Sequence, residues 1–266
     1  MRTIENSNSI VKKMISIGGC DYSTNFTSVV SNQTIRRVFI ESIIALLIEH
    51  NLDGVDLFWR WVPAALQSEF CSFLKELKNE LMNQEKQYIL SVGAPPAGIE
   101  NLEDGYDIEE IIRHVDFVNV YSMDYAGPWD NQWGTPTGPS APLYGGLDAR
   151  RNFNVDYTIK SYIRNIRRPE KFNLAIPFSV RLWRNVEDAI QPGIEVFRNV
   201  TLQDDRAIGE ASKANYVKSK NLGGVWIWTM EHDDDNDTLI EAVSSQFGTP
   251  CDEQIPFEVI ASANNL

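Results

Sequence analysis

The chain is poor in positive charge. Against 37 aspartates and glutamates it sets 24 lysines and arginines, a formal charge of −13 with a sequence pI of about 4.7. Nucleic acid and anionic membrane both require a basic face, so neither is an expected partner. Cysteine is scarce: Cys20, Cys71 and Cys251 are odd in number, far apart and without metal-ligand spacing. They read as buried or incidental thiols, and no metal or cofactor is expected. No apolar run approaches the roughly 18 residues of a membrane span, and Met1-Arg-Thr-Ile-Glu-Asn lacks the apolar core of a signal peptide. On its face the chain reads as cytosolic. Four Asn-x-Ser/Thr sequons, at Asn25, Asn32, Asn199 and Asn236, suit a secreted glycoprotein. In so asparagine-rich a chain, chance supplies about half of them, so they carry little weight. Internal repeats, low-complexity tracts and an obvious inter-domain linker are also missing.

What is present suffices for a large α/β core: 266 residues, 43% of them apolar and 11% aromatic. Six β-rich runs, at 11–18, 54–60, 87–94, 117–121, 172–178 and 224–229, alternate with longer helical stretches. Runs so dominated by Val, Ile, Leu, Met and aromatics belong to a parallel sheet covered on both faces. Asn32 or Thr34 is placed to cap a helix to about His50, in which Val38, Ile40, Ile43, Ile44, Leu47 and Ile48 recur at helical spacing. Residues 64–81 repeat that pattern, and 154–168 and 238–247 are shorter helices of the same kind. The Gly/Pro-rich stretch 127–146 reads as one long functional loop. The acidic residues 233–237 lack the glycine and terminal glutamate of a calcium loop and read as a helix-capping segment.

One strand concentrates polar groups. In Asp53-Gly-Val-Asp-Leu-Phe-Trp-Arg60, alternation points Asp56, Phe58 and Arg60 to one side and Val55, Leu57 and Trp59 to the other. This segment resembles the Asp-Gly-x-Asp-x-Asp-x-Glu strand of the family-18 glycoside hydrolases, the chitinases and chitinase-like lectins. Asp53, Gly54 and Asp56 match; Phe58 stands at the last Asp and Arg60 at the Glu that protonates the glycosidic oxygen. Four further elements, one before this strand and three after it, stand in the family's order. Ser16-Ile-Gly-Gly19 is similar to Ser-x-Gly-Gly, whose Ser hydrogen-bonds the first carboxylates of the acidic motif. Tyr121-Ser-Met-Asp124 is similar to Met-x-Tyr-Asp, with Asp124 kept and Met123 in place of the carbonyl-binding tyrosine, and Gly127-Pro-Trp129 continues the match. Residues 175–181 keep Arg181 of Gly-x-Pro-Phe-Tyr-Gly-Arg but have Ser179 for its tyrosine. The run 223–231 resembles the last strand, with Trp228 as the floor under the sugar.

The resemblance implies a TIM (β/α)₈-type barrel, here incomplete: the six strands correspond to the family's third to eighth, the first two are missing, and the α+β insertion between 181 and 224 shrinks to a stub plus a helix around 207–218. One N-terminally truncated barrel domain over 1–266 is expected, as a shortened gene model or isoform in preference to an open barrel with two bare edges. Family-18 enzymes let the sugar's N-acetyl group act as nucleophile, so the protein must supply the acid. Arginine neither donates nor takes back a proton near neutrality. The expected function is therefore a catalytically inactive chitinase-like protein that binds chitin or other N-acetylglucosamine glycans through Ser16, Asp56, Tyr121, Met123, Asp124, Trp129, Arg181 and Trp228. Two alternatives stand beside it. One is a scaffold in which Arg60 pairs with Asp56 or Asp124 and plugs the barrel; the other is a residual chitinase with Glu231 as a displaced acid, though alternation turns Glu231 away from Trp228. The resemblance also points to a secreted or membrane-anchored full-length form.

Overall fold

The computed structural model describes residues 11–127, 137–146, 150–164, 166–189, 198–206, 212–229, 232–234 and 236–247. In chain order its elements are β1 (Met14–Gly18), α1 (Gly19–Tyr22), α2 (Phe26–Ser31), α3 (Gln33–Glu49), β2 (Gly54–Trp59), α4 (Gln67–Met82), β3 (Ile89–Ala94), α5 (Ile108–His114) and β4 (Phe117–Val120). There follow α6 (Val155–Ile163), β5 (Phe172–Pro177), β6 (Val180–Ala189), β7 (Arg198–Arg206), α7 (Ser212–Ser219), β8 (Gly224–Trp228) and α8 (Thr238–Ser244). Six strands form one parallel sheet in the order β1-β2-β3-β4-β5-β8, a partial barrel whose strands match the expected six to within a few residues. Among the described residues β1 pairs with β2 alone and β8 with β5 alone, so the sheet does not close on itself.

Alternation along the strands divides the core in two. Val55, Leu57 and Trp59 of β2 join Leu90, Val118 and Leu174 of its neighbours against the helices, in the larger cluster. Trp59 stacks on Phe26 of α2 (5.4 Å, 13°) and meets Phe70 of α4 edge-on (5.8 Å), which seats the first helices against the sheet. Phe58, Tyr121, Met123, Ala175 and Trp226 make a second cluster on the inner face.

Local signals set most helix ends. Asn32 Oδ1 accepts the Thr34 and Ile35 amides at 2.9 and 3.1 Å, and α3 begins there. Asn32→Ala is expected to lower stability by about 1 kcal/mol and Asn32→Asp to leave it nearly unchanged, measured by urea unfolding. A bidentate pair then holds α3 to α4: Arg36 Nε and Nη2 donate to Glu76 at 2.8 Å each, while Nη1 reaches the Val30 carbonyl at 2.7 Å. The acidic stretch near 233–237 caps α8, as its composition predicts. Asp233 accepts the Leu239 and Ile240 amides, both at 2.9 Å, and Asp234 those of Asn236 and Thr238, both at 3.0 Å.

One expectation changes, one gains detail and one lies partly outside the described residues. Of the six apolar positions of α3, Ile40, Ile43 and Leu47 are buried, whereas Val38 and Ile48 are exposed, because the stripe that packs is narrower than the spacing suggests. The insertion stub is an antiparallel hairpin of β6 and β7, with Arg181 opposite Asp205, and the helix after it is described as α7, Ser212–Ser219, residues 207–211 lying outside the described residues. Within the long loop 127–146, residues 128–136 lie outside the described residues.

Candidate functional site

The acidic strand carries its two aspartates to different ends of the barrel. Asp53 precedes β2: it accepts the Lys13 amide at 2.9 Å and pairs with Lys86 Nζ at 2.9 Å. Burial acts to raise its pKa, but the Lys13 amide and Lys86 outweigh that and hold the carboxyl below the usual range. Asp53 thus anchors the strand's start, away from any ligand at the strand ends. Asp56 is fully buried on the inner face and accepts from Ser16 Oγ (2.8 Å), Ser91 Oγ (2.6 Å) and Asn119 Nδ2 (3.2 Å). Parallel registry supplies these partners, since Ser16 and Ser91 are the residues opposite Asp56 on either side. Burial raises the Asp56 pKa and outweighs the three hydrogen bonds, which favour the charged form. Asn119 in turn accepts from Asn173 Nδ2 at 3.0 Å, extending the polar chain across β4 and β5.

Phe58, two residues on, is the centre of an aromatic group. Its ring lies 5.4 Å from Trp226 and 5.8 Å from each of Trp61, Tyr121 and Trp228. Space for it comes from Gly93 on β3, where a Cβ would fall 2.4 Å from Phe58 Cδ2. Trp226 and Trp228 face the same way, their rings 5.4 Å apart at 83°, and Trp228, the last residue of β8, is half-buried.

Arg60 follows β2 at the mouth of this group. Its guanidinium carbon sits 4.9 Å from the Tyr121 ring centroid and 5.4 Å from that of Trp61, and Nη1 donates to the Cys20 thiol. Its amide donates to Ser23 Oγ at 2.9 Å, tying the strand end to α1. Burial alone would lower the Arg60 pKa; Tyr121, Cys20 and Asp124 together outweigh it and hold it above its ordinary value, so the cation is permanent. The plug expected of Arg60 takes another form. Among the described residues no ion pair within 4.0 Å joins it to Asp56 or Asp124, and the ring of Phe58 is the buried group at the middle of the inner cluster.

On β4 and beyond, Tyr121 Oη donates to Asp124 Oδ2 at 2.5 Å, and Ser140 Oγ reaches Oδ1 at 3.4 Å. Burial, then the Asp124 charge, push the Tyr121 phenol well up, which keeps it a neutral donor. Asp124 has φ 58°, a left-handed conformation that aspartate tolerates better than most residues. Met123 is buried in the inner cluster. Ser16, Asp56, Tyr121, Met123, Asp124 and Trp228 are thereby gathered at or under the C-terminal strand ends, where barrel sites lie. Trp129 and Glu231 lie outside the described residues; Arg181 lies in β6, its side chain outside what is described.

Sequence reasoning missed Cys20, Trp61, Ser91 and Asn119. Asn119 was findable, because alternation along β4 puts it with Tyr121. Cys20 is an exposed thiol beside a cation, and only the pairing of β1 with β2 brings it there. Among the described residues no group of three or more His, Cys, Asp or Glu side chains is placed to hold a metal ion.

Comparison with known proteins agrees with this geometry. Chitinase-3-like protein 2 of Homo sapiens is 25% identical, over 88% of this chain and 72% of its own length, and Chitinase 1 of Aphanocladium album is 28% identical over 71% of this chain. The chain spans about half the length of the insect, fungal and nematode chitinase relatives, at 47%, 45% and 44%. A solved structure of human YKL-39, described as a pseudo-chitinase with retained chitooligosaccharide binding, matches with a TM-score of 0.75 at 22% identity, covering 89% of this chain and 80% of that one. The family described as Glycosyl hydrolases family 18 matches residues 1–211, most of the chain. A parallel partial barrel whose second strand carries the remnant of an acidic motif, with a tryptophan at the end of its last, therefore belongs to glycosyl hydrolase family 18.

Proposed function

We propose that this chain is a catalytically silent, chitinase-like protein that binds chitin or related N-acetylglucosamine glycans at the C-terminal ends of its strands. The observation that carries the reading is the pair Arg60 and Trp228. At the end of β2, where the family's acid belongs, stands a cation that gives up no proton, and it opposes the positive charge that develops on the sugar during cleavage. Loss of a general acid alone costs about 10² to 10⁴ in rate. At the end of β8, Trp228 keeps an indole partly open to solvent, and such a face suits the C–H side of a pyranose. Tyr121 and Asp124, hydrogen-bonded together, supply polar contacts beside it.

Calorimetric titration with chitotetraose tests binding. Trp228→Ala is expected to weaken it about 30-fold or more, the loss typical of a buried tryptophan anchor. No binding by the folded wild type would remove the lectin role and leave the second reading, a scaffold or interaction protein without a sugar site, though without the Arg60 ion pair that reading expected. A fluorogenic chitobioside should release no aglycone above the blank; turnover that vanishes in Glu231→Gln would instead establish a hydrolase with a displaced acid.

A further inference from the structure

Arg60 holds more hydrogen-bonding capacity than the described structure uses. A guanidinium carries five N–H donors, and here one Nη donates to Cys20 Sγ while the others have no partner among the described residues. None of those nitrogens is both fully buried and unpartnered, since the one such side-chain polar atom among the described residues is Glu103 Oε2. Asp124 acts on the cation through its charge but forms no ion pair with it within 4.0 Å; its oxygens accept from Tyr121 Oη and Ser140 Oγ, among other contacts. The rings of Tyr121 and Trp61 back the guanidinium and keep it in place, and the Tyr121 ring centroid lies 6.4 Å from that of Trp228. A cation so placed, partly desolvated and oriented, is built to meet an oxyanion, because charge-assisted and bidentate hydrogen bonds strengthen as water is excluded.

We propose that Arg60 turns this into a site for anionic glycans, in which a carboxylate or sulfate ester on the sugar chain takes the unengaged edge of the guanidinium while a neighbouring pyranose lies on Trp228. The inference rests on the reading of Trp228 as a sugar platform. The position that protonated a neutral substrate in active relatives becomes a selectivity residue for negative charge. The chain's net charge of −13 opposes this at long range, so the preference is carried by contact and persists at physiological salt, where charges beyond about 8 Å are screened.

Three ligands titrated at about 0.15 M salt into the whole chain test it: chitotetraose, its 6-O-sulfated form, and a form oxidised to a carboxylate at C6. At least one anionic ligand is expected to bind wild type about 10- to 100-fold more tightly than the neutral one, the worth of hydrogen bonds to a charged group. The sulfate and carboxylate arms decide which oxyanion the fork prefers. Arg60→Met should bring that ratio to about one, and Arg60→Lys, which keeps the charge without the fork, should retain part of it. Near-ultraviolet circular dichroism establishes that the variants are folded, and if Arg60→Met is not, Arg60→Gln takes its place. Equal or tighter binding of the neutral ligand by wild type overturns the inference and leaves the Trp228 reading standing, as does a ratio unchanged in Arg60→Met. Binding of none of the three overturns both.

Discussion

Replacing Asp56 with leucine is expected to lower stability by about 3–5 kcal/mol, as is usual when a buried hydrogen-bond network is broken. Ser16 Oγ, Ser91 Oγ and Asn119 Nδ2 all donate to this one carboxylate in a fully buried place, and leucine strands all three. Asp56→Asn should be tolerated at neutral pH. Its amide oxygen occupies the position of Oδ1 and accepts from Ser91 and Asn119, while its nitrogen sits at the place of Oδ2 and donates to Ser16, whose hydroxyl turns to accept. The pair also separates in pH. Because burial raises the Asp56 pKa, the folded protein keeps a proton that the unfolded chain has released. The contribution is complete below the unfolded value of about 4 and drains away as pH rises through the raised folded value. Urea unfolding across that window should show the decline in wild type and its absence in Asp56→Asn; parallel profiles would refute the assignment.

Phe58→Ala is expected to cost about 3–5 kcal/mol, the usual range for emptying a large buried aromatic site. Four rings lose their common neighbour in that variant. Gly93→Ala should cost about 1–3 kcal/mol by itself, since the new methyl meets Phe58 Cδ2 at 2.4 Å and the ring is hemmed in on its other sides. In the Phe58→Ala background the same methyl enters the space that the ring has left, so the double variant should be no less stable than Phe58→Ala alone. Strict additivity in this double-mutant cycle would mean that the two residues do not share one space.

Much of this arrangement is legible along the chain. Alternation alone assigns Asp56 and Phe58 to one face of β2 and Val55, Leu57 and Trp59 to the other; the inner cluster holds Phe58 and the outer one the latter three. The start of α3 follows from Asn32 and the cap of α8 from Asp233 and Asp234, because caps are local chemistry. What escapes the eye depends on registry. Cys20 meets Arg60 because β1 lies beside β2 with Ser16 opposite Asp56, and no nearby pattern encodes that offset. Aligned motifs present Phe58 as the loss of a carboxylate; only packing reveals what the ring supports, and that Gly93 makes room for it. The hairpin of β6 and β7 was illegible for another reason: charged residues are scattered through both strands, so neither reads as the buried parallel type that the six sheet strands share.

Asp53 and Asp56 sit three residues apart in what looks like one catalytic signature, yet one staples the entrance of the strand to a lysine and the other binds three other strands, β1, β3 and β4, through their side chains. Both duties belong to architecture. The need to fold is therefore reason enough to hold both aspartates, whatever residue stands at the far end of the strand. Their presence reports ancestry and shape and is silent on chemistry.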